Sequence, residues 1–399
     1  MILIGVLYTL MTLGDLIFAQ DKTDLKNLAA AQIEFALDLN REFLEVFPQN
    51  VFFSPPGIYS ILGMLFFGSK GETHEELKDI MKHEPYGVKT NSLLRISNDF
   101  LHELENVERF HNGTVMRSAN CIITDKTVNI SSEYIIKIVE GYRPKALEAD
   151  FLNHSDDAVI AINDWVKKKT NGKITSLVDS LDPSTKMVLL NAVYFKGLWK
   201  FEFDKSKTEK DVFYNLGKES EKREIPFMKT TGEFRYAMFD NFKALELPYK
   251  GGDMSMLILL PHKLDGIQTL IKNITQMDMS KIEDLLTNVT VEVQLPKFSL
   301  SFETEDLPKH LRKLGAGKIF DPKEADFSSM ALNKGLFVSA MIHKAVIEVN
   351  EEGTEAAGVT GTVAIRSAVE DFKADHPFLF FIKEKSTNWV LFMGSVISP

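Results

Sequence analysis

The sequence predicts a single α+β domain of mixed and antiparallel β-sheets with surrounding helices, and three observations lead there. Apolar residues recur at helical spacing through the first part of the chain and at strand spacing through most of the second, without the regular βαβ alternation of a parallel doubly wound sheet. No proline-rich linker, composition shift, low-complexity run or internal repeat divides the 399 residues. At 44% apolar and 26% charged, the composition is that of a chain with a large core, neither disordered nor membrane-embedded.

The elements follow in order. Residues 25–46, 55–67 and 73–82 carry helical periodicity, the last with Glu and Leu alternating at helical spacing. Runs 119–124 and 187–195 read as strands, with a helix near 158–169 between them. From 213 to 261 the chain reads as antiparallel strands joined by turns; 244–248 and 254–260 flank Lys250-Gly251-Gly252-Asp253. A helical stretch over 264–286 leads into a strand over 289–298. Residues 345–349 alternate like a strand, and 378–382 and 389–396 are strongly strand-like.

Residues 1–19, apolar and closing on Ala19 before Gln20-Asp21-Lys22, read as a cleaved secretory signal, although Asp15 interrupts them and no basic n-region precedes them; a buried amino-terminal helix is the alternative. The mature domain then spans 20–399. Sequons at Asn112, Asn129, Asn153, Asn273 and Asn288 fit the same compartment, so a secreted, extracellular glycoprotein is expected. After that segment no run reaches the roughly 18 consecutive apolar residues of a membrane span, so no membrane partner is expected. Cys121 is the only cysteine, which excludes an intramolecular disulfide, and its apolar surroundings predict a buried, inert thiol. The net charge of −10 argues against nucleic acid as a partner. Lys167, Lys168, Lys169 and Lys173 form the one dense basic cluster, which fits a solvated helix face or a heparin-type polyanion contact.

Catalytic and metal signatures do not appear. His74-Glu75-Glu76 opens like a zinc-protease helix, but Lys78 stands where the second histidine belongs. Gly353 and Gly358 have phosphate-loop spacing, yet Val359-Thr360 follows instead of Lys-Ser/Thr. There is no Gly-x-Ser-x-Gly elbow, and the nine histidines have no paired spacing. The expectation is a non-enzyme without metal or cofactor, acting as a monomer.

The segment from about 351 to 373 stands apart. A connection of about 20 residues is uncommon in a compact domain unless it is functional or disordered. Read with a period of two, it puts Thr354, Ala356, Gly358, Thr360 and Thr362 on one small, uncharged face, and Glu355, Ala357, Val359 and Gly361 on the other. Such a segment suits a loop in one state and an inserted strand in another. It ends in Ala364-Ile365-Arg366-Ser367, an arginine that a protease with a carboxylate in its specificity pocket would accept.

Motifs along nearly the whole chain resemble those of the serpins. They include Asn50-Val51-Phe52-Phe53-Ser54-Pro55, Gly68-Ser69-Lys70-Gly71-Glu72-Thr73, Ile162-Asn163-Asp164-Trp165-Val166, and Asn191-Ala192-Val193-Tyr194-Phe195-Lys196-Gly197-Leu198-Trp199. They continue through Leu295-Pro296-Lys297-Phe298, Ala325-Asp326-Phe327-Ser328, Ile342-His343-Lys344-Ala345, Ala374-Asp375-His376-Pro377-Phe378 and Phe392-Met393-Gly394-Ser395-Val396. The resemblance implies a single serpin domain with an exposed reactive-centre loop, covalently trapping a trypsin-like serine protease when the cleaved loop enters the main sheet. It makes Glu352, Gly353, Thr354, Glu355, Ala356, Ala357 and Gly358 the hinge, with Glu351 preceding them. Ser54, Asn191 and His343 become the shutter, and Trp199 part of the breach. The resemblance also places a helix over about 91–107, with Arg95 its only basic residue. Pro56-Gly57 departs from the family, since many relatives carry a serine three residues after Ser54, so part of the shutter network is expected to be missing or rearranged. Counting back from Pro377 sets the bait bond at Arg366-Ser367. Counting from the hinge by the commonest loop length sets the cut after Ser367, which suits an elastase-like enzyme, and a cut after Ile365 is a further alternative. A non-inhibitory carrier, chaperone or storage serpin is the other reading.

Overall fold

The computed structural model describes the backbone at residues 2–46, 49–110, 113–274, 279–304, 306–356 and 369–399. Within them the helices are α1 Ile2–Val46, α2 Pro55–Gly68, α3 Gly71–Met81, α4 Thr90–Phe110, α5 Ser132–Tyr142, α6 Phe151–Lys169, α7 Ile267–Ile274, α8 Met279–Leu285 and α9 Leu307–Lys313. The strands are β1 Val51–Phe53, β2 Thr114–Asp125, β3 Lys145–Ala149, β4 Met187–Gly197, β5 Trp199–Glu202, β6 Glu209–Tyr214, β7 Lys222–Met238 and β8 Phe242–Pro248. They continue as β9 Met254–Pro261, β10 Thr287–Pro296, β11 Phe298–Thr304, β12 Ala340–Val349, β13 Gly353–Ala356, β14 Glu370–Lys373, β15 Phe378–Glu384 and β16 Trp389–Val396.

Two large sheets organise the α+β domain. One runs β1-β16-β15-β9-β8-β7-β10-β14, with β6 also on β7; the other is five-stranded, β11-β12-β4-β2-β3. The main core lies where β1, β9, β15 and β16 meet α1 and α2. Its strands are buried on both faces, which explains why 254–260, 378–382 and 389–396 read as largely apolar, strongly strand-like runs. Phe52 stacks on Phe392 with centroids 5.2 Å apart. A second cluster seats α6 on the five-stranded sheet through Phe151, Ile162 and Val166. Ser54 starts α2, its hydroxyl accepting from the Gly57 N–H with Pro55 in the first turn.

The structure extends several predicted elements and adds others. The first helix begins at Ile2, α4 covers the helix expected over 91–107, and α5 and α9 occupy stretches to which no element was assigned. The helical stretch 264–286 contains two helices, α7 and α8, with 275–278 outside the described residues. The segment 351–373 is not loop at its ends: β13 pairs with β5 and β14 pairs with β10, both parallel. No helix among the described residues is long and apolar enough to cross a membrane.

Cys121 is fully buried in β2, and burial pushes its thiol up to about 12. The folded protein should therefore resist a thiol reagent at pH 8 and react once unfolded in urea. Rapid labelling of the native chain would contradict the packing of β2.

Candidate functional site

The five-stranded sheet is antiparallel at β11/β12 and at β2/β4, but its central pair β12/β4 is parallel, with Ala340 opposite Val188 through Ile347 opposite Phe195. Parallel pairing is slightly weaker per residue than antiparallel pairing. A segment leaving the carboxyl end of β12 and turning back between these strands would run antiparallel to both. The connection that follows β12 therefore begins at the end of the seam it would fill.

Beneath the seam, buried side chains hold the two strands to α2. The Ser54 backbone N–H donates to His343 Nε2 (3.1 Å), so that nitrogen is bare and Nδ1–H donates to Asn191 Oδ1 (2.7 Å). The Asn191 amide then donates to Asn120 Oδ1 on β2. His343 faces Asn191 in the strand register, both fully buried, and burial pushes His343 down to about 3. Ser54, Asn191 and His343, expected together as the shutter, are thus in contact, joined by Asn120, which the strand run 119–124 contains but did not single out. The departure at Gly57 is a rearrangement: a Cβ there would stand 2.4 Å from Asn191 Oδ1, so the Asn191 amide occupies the space a side chain at 57 would need.

At the upper end of the seam lies the breach. The Trp199 indole stacks on Tyr249 (4.7 Å between centroids, 8° between planes), and its Nε1–H donates to Asn350 O at 2.8 Å. The Trp199 backbone N–H reaches Glu352 O (3.0 Å) and that of Phe203 reaches Glu351 O (3.1 Å). Glu351 is 5% exposed. Burial raises its carboxyl, but Lys297 (2.9 Å), its own backbone N–H and the Thr208 hydroxyl (3.0 Å) more than offset that and hold it below the usual range. Glu352 pairs with Lys196 at 2.6 Å, and that ammonium lowers its carboxyl too. The chain then runs as β13, Gly353 opposite Trp199 and Ala356 opposite Glu202. A Cβ on Gly353 would stand 2.5 Å from Glu202 Cα, so only glycine lets these backbones approach. A cavity of about 1270 Å³ opens beside this hinge, lined by Glu351, Glu352, Lys229 and Glu292 among others.

A third tie crosses the seam from outside. Lys173, after α6, donates to Glu348 of β12 (3.1 Å) and sits 4.9 Å over the ring of Tyr194 of β4. The Lys344 ammonium bonds Ser176 O (2.9 Å). Lys173, grouped from sequence with a basic patch, is thus a clasp; Lys167, Lys168 and Lys169 remain exposed. Sequence reasoning missed Lys297, Thr208 and Tyr249 as partners of hinge and breach, although Lys297 lies in the quoted Leu295-Pro296-Lys297-Phe298.

Hinge residues Glu352 and Gly353 are placed as described, and the backbone of Thr354, Glu355 and Ala356 lies in β13. Ala357, Gly358, Arg366 and Ser367 lie outside the described residues, as does Asn112. Asn129, Asn153 and Asn288 are exposed and Asn273 is half-buried in α7; the Asn153 amide is held by Asp150 (3.1 Å).

A family model for serpins (serine protease inhibitors) matches residues 30–399. Leukocyte elastase inhibitor A of Rattus norvegicus is 37% identical over 388 residues, covering 94% of this chain and all of that protein. Among solved structures, uncleaved ovalbumin superposes with a TM-score of 0.84 at 30% identity, covering 93% of this chain and all of ovalbumin. Native protease nexin-1 with heparin gives 0.82 at 28% identity, covering 94% and 100%. The chain belongs to the serpin family, and is a serpin protease inhibitor by that membership.

Two outcomes follow from the shutter. Unfolded histidine titrates near 6.5 and native His343 near 3, so the native state binds fewer protons between those values. Stability should fall as pH drops through that window, by about 1.4 kcal/mol per unit at most. The loss of melting temperature from pH 7 to pH 5.5 should be smaller in His343→Gln; equal losses would remove His343 from the account. Gly57→Ala should cost about 1–3 kcal/mol in urea unfolding by overpacking against Asn191.

Proposed function

We propose that the protein is a secreted suicide-substrate inhibitor of trypsin-like serine proteases, with Arg366-Ser367 as its bait bond. One observation carries this reading: the described part of the hinge, residues 352–356, with Glu351 before it, is tethered at the open end of a parallel seam that the following segment can fill in antiparallel register. Thr354, Ala356, Gly358, Thr360 and Thr362 supply a face without charge or proline, so insertion buries no unpaired ion and removes no ladder donor.

The chemistry follows from the bond. The protease serine oxygen attacks the Arg366 carbonyl carbon, and the Ser367 amine leaves with the proton delivered by the protease histidine, which leaves an ester to Arg366. Insertion of the freed segment then draws the esterified protease along the sheet. If this distorts the oxyanion hole and triad, water cannot complete deacylation and the ester persists.

Secretion rests on the apolar segment 1–19 and on the sequons, of which Asn129, Asn153 and Asn288 are solvent-exposed. A polyanion contact would fall to Lys167, Lys168 and Lys169, since Lys173 is engaged with Glu348. A second reading, a cut after Ser367 by an elastase-like protease, is favoured by the count from the hinge and by the name of the rat relative.

Mixing the protein with trypsin should give an SDS-stable covalent complex and a small carboxy-terminal fragment beginning at Ser367. A fragment beginning at Ala368 would keep inhibition and move the bait to Ser367. Cleavage without a complex, and without a gain in thermal stability, would contradict the inhibitory reading. Thr354→Arg should convert the protein into a substrate, because it places a charge on the inserting face.

A further inference from the structure

Away from the sheet, a second cavity of about 960 Å³ lies among the end of α2, the α3–α4 turn, the start of α4 and α5. Its volume is that of a small-molecule site. Phe66, Phe67, Val88 and Leu94 give it an apolar wall, and Phe67 and Leu94 are only partly buried. His74 is fixed as part of that wall: its ring stacks on Phe66 (4.1 Å, 24°) and its Nδ1–H donates to Phe66 O at 3.1 Å.

The charge around the cavity is one-sided. Lys89 and Lys137 line it and are exposed, and among the described side chains neither has a carboxylate partner. Lys137 sits 5.8 Å over the Phe67 ring, beside the apolar wall. The one lining carboxylate, Glu84, is paired with Lys78 at 3.3 Å. An apolar wall beside two uncommitted ammonium groups matches a molecule with an apolar body and a single negative head.

We infer that this cavity binds a carboxylate amphiphile of fatty-acid type, its chain against Phe66, Phe67, Val88 and Leu94 and its head between Lys89 and Lys137. The site is independent of the reactive-centre loop and stands whether or not the bait assignment does. It also touches the inhibitory machinery through one element. α2 carries Phe66 and Phe67 at its far end and is capped at its near end by Ser54, whose N–H bonds His343. A ligand that binds the uncleaved protein stabilises it by mass action.

The test is calorimetric titration of the full-length protein with dodecanoate below its micelle concentration, with dodecylamine as the control of opposite charge. Saturable one-to-one binding of dodecanoate is expected, with no matching isotherm for dodecylamine and a concentration-dependent rise in melting temperature. The double variant Lys89→Ala/Lys137→Ala should weaken binding about tenfold or more, since a charge-assisted hydrogen bond contributes on that order. Asn91→Trp, at an exposed lining position, should abolish it by filling the cavity. Both variants should keep the melting temperature of the unliganded wild type, which separates loss of the site from loss of the fold. Absence of saturable binding, equal binding of dodecylamine, or dodecanoate affinity unchanged in both variants would overturn the assignment.

Discussion

Everything else in this structure depends on the parallel contact between β12 and β4. The pairs immediately on either side of it are antiparallel, and a connection returning from β12 could add a strand between β12 and β4 that is antiparallel to both neighbours. The uncleaved fold is held in this arrangement by ties outside the ladder itself. Neutral His343 bridges the α2 cap and Asn191 below, Lys173 spans Glu348 and Tyr194 across the surface, and the Glu351–Lys297 and Glu352–Lys196 pairs pin the hinge above. Each must be released or exchanged if the seam opens. A buried network that is fully satisfied in one arrangement favours a discrete switch over gradual deformation.

Gly353 and Gly57 show two uses of a missing side chain in that arrangement. At Gly353 the absence of Cβ lets the hinge lie against Glu202 as a short parallel ribbon with β5. At Gly57 it lets the Asn191 amide pack directly on α2, so the bridging between α2 and β4 passes through the Ser54 backbone, His343 and Asn191 instead of through a hydroxyl at 57. The hydrogen-bonded bridge from α2 to β4 and β2 is closed here without a side chain at 57.

Much of this was legible in the sequence because the signals were local. Strands buried on both faces read as largely apolar runs, α2 showed as helical periodicity over 55–67, and the small-residue face of the hinge was visible as a period of two. The α5 and α9 helices were not: at 11 and 7 residues they are too short for apolar periodicity to separate them from their surroundings. Lys297 and Glu351 are 54 positions apart, Lys173 and Glu348 are 175 apart, and Asn120 and Asn191 are 71 apart. No spacing rule joins such pairs; the fold brings them together. The polar partners that tie the hinge and seam were therefore missed, while the residues they tie were found.

Trapping a protease by loop insertion requires the β12/β4 seam to open, and a reversible lock across that seam decides whether it does. Lys344 and Ala192 are opposite each other in the parallel register, and neighbouring strands lie about 4.8 Å apart, within the Cα separation a disulfide spans. With Lys344→Cys and Ala192→Cys in one chain, buried Cys121 is not expected to compete for pairing. The oxidised protein should be cleaved by the protease without forming an SDS-stable complex, and reduction should restore the complex. An oxidised protein that traps protease as well as the reduced one would contradict the account.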